Sequence, residues 1–181
     1  SHRSKRPTPD DFGSDVAVRV ARLDDLEAVV NLLTTSRASL SDSLASEYLL
    51  DSLGVDSIDA SSVGDLFEDG ANTILIGSYA HADCGILVGR HSAKSARRPV
   101  VTVPWIAVDE GFRRCGVGTA MLSTLRAMIA GRGGGVLDVL AAPGDRATKS
   151  LLENTGSKAR SLVMSQVVDG QHDGRDDHGV I

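Results

Sequence analysis

Seven consecutive residues, Arg113-Arg114-Cys115-Gly116-Val117-Gly118-Thr119, carry the most specific chemistry in this chain. They follow a long apolar run, Val100–Val108, and open an amphipathic run that continues to Ala130. The result is a basic, glycine-containing turn between a strand and a helix. Gly116 and Gly118 let backbone N–H groups approach a ligand with no Cβ in the way. The helix start adds partial positive charge, and Arg113 or Arg114 can add a charge-assisted contact. All three effects favour an anion of phosphate type, although a tight turn with solvated arginines would use the same residues. The spacing is neither the Gly-x-x-x-x-Gly-Lys of a P-loop nor the longer dinucleotide fingerprint, which leaves a different pyrophosphate as the ligand.

Other residue types with chemical potential are less pointed. Cys84 and Cys115 share no ligand-like spacing with His2, His81, His91, His172 or His178, so neither a zinc site nor a disulfide framework is indicated. Cys115 could be mistaken for a nucleophile, because a helix N-terminus lowers a thiol pKa. Trp105 could line a pocket, yet a large aromatic in a central strand is more often core. Of the carboxylates, Asp109 sits at the end of the Val100–Val108 run beside the basic turn. Glu47, Glu68 and Asp83 are conceivable bases whose simpler account is solvation.

The elements that must position the turn follow from periodicity. Val16–Val20 alternates as a first strand, and Asp24 is expected to cap a helix carrying Leu26, Val29, Val30 and Leu33. Helical stretches at Ser43–Leu53 and Ser61–Phe67 are expected to end at Gly54 and Gly70 in the left-handed conformation. Strand-like runs 72–80 and 84–90 predict a hairpin through His81-Ala82-Asp83. Pro104 inside the Val100–Val108 strand removes a ladder donor and predicts a bulge, unless the strand starts only at Trp105. After the helix of about Gly116 to Ala130, the Gly131–Gly135 linker leads to a strand at 136–141. A short helix at 145–154 and a last strand at 158–168 complete the order.

The chain has 181 residues, 41% of them hydrophobic and only 3% aromatic, with a net charge of −5. That suits one domain whose core rests on Val, Leu, Ile and Ala. Residues 1–14 and 169–181 are too polar to bury anything and read as mobile segments around a domain at 15–168. Few aromatics and negative net charge disfavour nucleic-acid binding. No apolar run approaches the roughly 20 residues needed to span a bilayer, so a soluble, cytoplasmic protein is expected.

The turn and its surroundings resemble the GNAT acetyltransferases. Their signature is Gln or Arg, two residues, Gly, one residue, then Gly or Ala, matched here by Arg113, Gly116 and Gly118. The resemblance runs from about Val16 to Val168. It implies an α/β fold with a mixed, mainly antiparallel central sheet flanked by helices on both faces. It also implies acetyl-CoA as acyl donor and a primary amine, on a small molecule or a protein, as acceptor. Ile106, Ala107 and Val108 would offer main-chain groups to the pantetheine arm, while Arg113, Arg114, Cys115, Gly116, Val117, Gly118 and Thr119 would bind the pyrophosphate.

The family's catalytic tyrosine is replaced by Leu152, its helix-opening Asn by Asp145 and the Phe after its late glycine by Ser157. The general acid and base are therefore not legible, with Tyr48 and Tyr79 the only tyrosines able to stand in. Leu152 also keeps open a second reading, a CoA-binding sensor or interaction module with weak or no catalysis. Acceptor recognition is expected from Ser41–Gly70 and the loop Ser92–Arg98. Asp42, Glu47, Asp51, Asp56 and Asp59 would favour a cationic amine, or simply form a solvated face. A homodimer through the C-terminal elements could form without leaving a motif.

Overall fold

The computed structural model describes residues 15–40, 43–92, 99–141 and 145–159. The two terminal segments, most of the 92–98 loop and nearly all of the strand expected at 158–168 lie outside the described residues. Among the described residues five strands form one sheet in chain order: β1 (Val16–Val20), β2 (Asn72–Tyr79), β3 (Ala82–Ser92), β4 (Val100–Val108) and β5 (Val136–Val139). The first four pair antiparallel, and β5 runs parallel to β4. The β2–β3 connection is tighter than expected, because Tyr79 pairs directly with Ala82. Only Ala80 and His81 turn, both left-handed at φ 47° and 69°. Two left-handed residues give the primed turn whose twist matches that of the strands, here without a glycine.

Helices cover both faces of the sheet. On one face lie α1 (Leu26–Ala38), α2 (Ser43–Leu53) and α3 (Ala60–Glu68). Their Val29, Leu33, Leu53 and Val63 are buried with Ile74, Ile76, Ile86, Val88 and Trp105 of the strands. On the other, α4 (Val117–Gly131) buries Met121, Leu122 and Leu125 against Leu75, Leu87, Val101, Val103 and Ile106. Each such aliphatic side chain stabilises the fold by about 1.5–3 kcal/mol. α5 (Arg146–Asn154) packs Leu151 and Leu152 against this second cluster.

Two helix-end expectations are corrected. A 3-10 turn, Leu23–Asp25, precedes α1, so Asp24 caps nothing; Asp25 accepts from the Arg22 N–H (2.8 Å) and pairs with Arg19 (2.8 Å). Gly54 does end α2 left-handed at φ 80°, whereas α3 stops through an extended Asp69 and Gly70 stays out of the left-handed region. At the start of α3, Asp59 accepts from the N–H groups of Ser61 and Ser62, both at 2.9 Å. Asp145 caps α5 by accepting from the Thr148 N–H at 3.0 Å.

The middle of β4 is irregular in a way that matters below. Trp105 pairs with Val88 and Thr102 with Arg90, so Val103 and Pro104 together face the single residue Gly89 of β3. Pro104 thus sits in a bulge, as its missing N–H predicts. Val101 and Val103 face α4, but the extra residue reverses the alternation: Trp105 turns to the α1 face and Ile106 to the α4 face.

Candidate functional site

β4 and β5 part just after the bulge. Their last pair is Val103 with Val139, closed by Leu140 N–H to Val103 O at 3.0 Å, and Pro104 has no N–H to continue the ladder. Beyond it, residues 105–108 pair with β3 and, among the described residues, with no other strand. The parting opens a cleft of about 1090 Å³. Its floor is Pro104 to Val108 and its basic end is the turn into α4; α5 and the C-terminal end of α1 form its sides.

Strand geometry decides which backbone groups face this cleft. Asp109 N–H donates to Cys84 O (2.8 Å), which makes residues 109, 107 and 105 the ones that bond to β3. Ile106 and Val108 therefore turn N–H and C=O toward the open side, while the backbone of Ala107 is directed at Ile86. Val108 O on that open side accepts from Arg113 Nε at 3.4 Å.

The basic turn starts with a 3-10 turn, Glu110–Phe112, and then passes through two left-handed residues, Arg114 (φ 68°) and Gly116 (φ 89°). Gly116 is the N-cap of α4 and brings no capping side chain. Ala120 N–H bonds to Gly116 O at 2.9 Å, so the N–H groups of Val117, Gly118 and Thr119 precede the first helical bond. Arg113, Arg114, Gly116, Val117, Gly118 and Thr119 all line the cleft, as do Ile106, Ala107 and Val108. Cys115 is half-buried, with its thiol 3.9 Å from Arg113 O, and does not line it. A helix N-terminus with free amides beside two exposed guanidinium groups is an anion site, and the residues present fit a pyrophosphate.

Three glycines hold this geometry. A Cβ on Gly118 would lie 2.9 Å from Leu151 Cδ2, so that glycine admits α5 as well as a ligand. Gly77 and Gly85, cross-strand partners, were not legible as site residues. A Cβ on either would meet Val117 Cγ1, at 2.5 Å and 2.9 Å, so their bare backbone lets the first turn of α4 sit on the sheet. Only the strand register reveals that pairing.

The ionisable groups divide sharply. Burial raises the Asp109 carboxyl above its ordinary value, and Asp109 lines the cleft at the basic end. Burial, reinforced by Asp109, also pushes the Cys84 thiol up. Glu47 and Glu68 are exposed and Asp83 pairs with Arg19 at 2.7 Å; none of the three reaches the cleft. Tyr79 packs on Phe112 with ring centroids 6.2 Å apart, and Tyr48 is exposed on α2. Neither lines the cleft, nor does Leu152. Trp105 is buried, and its indole N–H donates to Ser36 Oγ at 2.9 Å.

Several lining residues lie outside the segments singled out in the sequence. Thr35, Ser36, Ser39 and Leu40 come from the end of α1, and Ser150, Leu151 and Asn154 from α5. Within Ser41–Gly70, Leu49 alone among the described residues reaches the cleft. Asp51, Asp56 and Asp59 are exposed elsewhere, and Asp42 lies outside the described residues.

No family model matches the sequence, and no curated protein does. Solved structures match well in fold. An aminoglycoside acetyltransferase from an uncultured soil metagenomic sample, in complex with trehalose, superposes with TM-score 0.67 at 14% identity, covering 88% of this chain and 99% of its own. AAC(6')-Iy, in complex with a CoA-containing bisubstrate analog, gives 0.63 at 13% identity, covering 87% and 100%. A ribosomal-protein-alanine N-acetyltransferase from Brucella melitensis biovar Abortus 2308 gives 0.66 at 17% identity, covering 86% and 99%. With its mixed five-stranded sheet, bulged β4 and parted β4–β5 edge, this chain has the fold of the GNAT acetyltransferases.

Proposed function

We propose that the chain transfers an acetyl group from acetyl-CoA to a primary amine. The observation that carries this is the cleft itself, in which an open strand edge runs directly into a helix N-terminus with unbonded amides. Arg113, Arg114 and the amides of residues 116–119 hold the pyrophosphate, while Cys115, whose N–H is donated to Phe112 O at 3.4 Å, stays outside the cleft. Ile106 and Val108 pair with the pantetheine amides as a neighbouring strand would. Ala107 supplies wall rather than hydrogen bonds.

At the bulged end of β4 the amine nitrogen attacks the thioester carbonyl in its neutral form. The C–N bond forms, the C–S bond breaks and the electron pair leaves on sulfur. The nitrogen loses one proton to solvent and the thiolate takes one from solvent, giving an N-acetyl amide and free CoA thiol. Holding the two reactants together supplies most of the acceleration.

Calorimetric titration with acetyl-CoA and with CoA tests the donor site. Wild-type protein should bind both, and Arg113→Glu should weaken binding by about tenfold to a hundredfold, as expected when one charge-assisted contact is reversed. Arg113 is exposed, so this variant leaves packing intact, whereas a bulky residue at Gly118 would evict Leu151 and confound the result. Absence of binding to wild-type protein would overturn the proposal. Release of CoA thiol on adding a primary amine tests the transfer.

A further inference from the structure

The parting between β4 and β5 has a closed end. Val103 pairs with Val139, and the Leu140 N–H bonds to Val103 O at 3.0 Å. Anything lying along the open edge from Val108 toward Pro104 therefore runs into a joined ladder. The side chains change along the same path. Ala107 and Trp105, two residues apart, share the α1 side of β4, and both line the cleft. The first leaves room above the strand, and the second fills it. Leu140 packs into the same cluster and lines the cleft beside the closed end.

Trp105 is held in place. It is 3% exposed, and its indole N–H donates to Ser36 Oγ at 2.9 Å. Ser36 is fixed in turn, because its own O–H donates to Leu33 O at 3.0 Å within α1. Swinging the indole aside would break a part-buried hydrogen bond and empty a packed position. The ring thus behaves as wall rather than as a movable side chain. The β4 bulge is what turns it to this side.

The length of the acyl group follows from where the thioester lies. A pyrophosphate at the start of α4 sends the pantetheine arm along β4 from Val108 to Ile106, toward the closed end. With the arm's last amide paired at Ile106, the two carbons and the sulfur that follow span more than one residue's rise of about 3.3 Å. The thioester carbonyl then lies level with residues 104–105. We infer that Trp105, locked by Ser36, is the stop that limits the acyl group to acetyl size: the acetyl methyl reaches the indole, and a longer chain has to turn back out of the parting. The inference rests on the transferase reading above and specifies its donor. Trp105 sets specificity and makes or breaks no bond, and Ser36 is a positioning residue.

The test is calorimetric titration with acetyl-CoA and butyryl-CoA, which needs no acceptor. A newly buried methylene raises affinity by about fourfold. Wild-type protein should bind butyryl-CoA no more tightly than acetyl-CoA, whereas Trp105→Ala should favour butyryl-CoA by about tenfold. Ser36→Ala frees the indole without emptying the core and should move the ratio the same way by about threefold; Ser36→Thr keeps the hydroxyl and should restore the wild-type ratio. If Trp105→Ala does not fold, the two Ser36 variants decide. Trp105 is the one tryptophan of these 181 residues, so its emission reports this end of the cleft alone. Acetyl-CoA should change that emission more than free CoA does. Tighter binding of butyryl-CoA by wild-type protein, a ratio unmoved by Ser36→Ala, or equal emission changes with CoA and acetyl-CoA would each overturn the inference alone. Failure to bind acetyl-CoA would overturn the transferase reading with it.

Discussion

At the scale of single residues, Asp109 is a cleft-lining carboxylate whose ionisation is opposed by burial. Its folded-state pKa is raised by burial, so the folded protein binds this proton more tightly than the unfolded chain does. The stability it contributes is complete below the ordinary carboxylate value near 3.8 and is lost as pH rises through the raised value. Asp109→Asn should therefore be more stable than wild type at pH 7 and indistinguishable near pH 3.5, measured by urea unfolding at both pH values. An equal gap at both would show that something other than ionisation separates the two. The same substitution removes a negative charge from the end of the cleft proposed to take an anion. Acetyl-CoA affinity should rise in the variant, and rise more at pH 8 than at pH 5.

At the scale of elements, the position of α4 depends on two strands presenting no side chain beneath it. Gly85→Ala places a methyl group 2.9 Å from Val117 Cγ1 and 3.0 Å from Met121 Cε. Overpacking of this kind costs about 1–3 kcal/mol. Because Val117 is the first residue of α4, the displacement falls on the amides proposed for the pyrophosphate. The variant should lose both stability and donor affinity, read by thermal unfolding and calorimetry. Gly64→Ala, with open space around its Cβ in α3, serves as the control that should lose neither.

This dependence marks the limit of what the sequence discloses. Val16–Val20, Ser43–Leu53 and Val100–Val108 were legible because the first alternates, the second ends at a helix-stopping glycine and the third is a continuous apolar run. The basic turn was legible because all its residues are contiguous. Gly77 beneath Val117, or Ser36 beside Trp105, becomes visible only once register and packing bring distant segments together. The hairpin itself was legible, but its loop was read one residue too long because Ala80 and His81 lack the glycine that usually betrays a primed turn.

At the scale of the molecule, the proposed donor site draws on β4, α4 and α5 at once, so binding should stabilise the domain as a whole. At about 100 Kd of acetyl-CoA the gain is about 2.7 kcal/mol, equivalent to about 5–10 °C in a domain of this size, measurable by thermal shift. A Tm unmoved at that concentration would separate the site from the cooperative unit. The β4 bulge has a further consequence for how the sequence could change length. Without Pro104, Val103 would face Gly89 alone, and the alternation would run regularly from Val101 to Val108 with every side chain on its present face. A one-residue deletion, ordinarily the most damaging edit to a buried strand, is here the one that β4 can absorb without exchanging its two sides. Flattening the strand at full length would do the reverse, sending Trp105 under α4 and Ile106 toward α1. Which wall of the cleft is which thus depends on a count of residues as much as on their kinds.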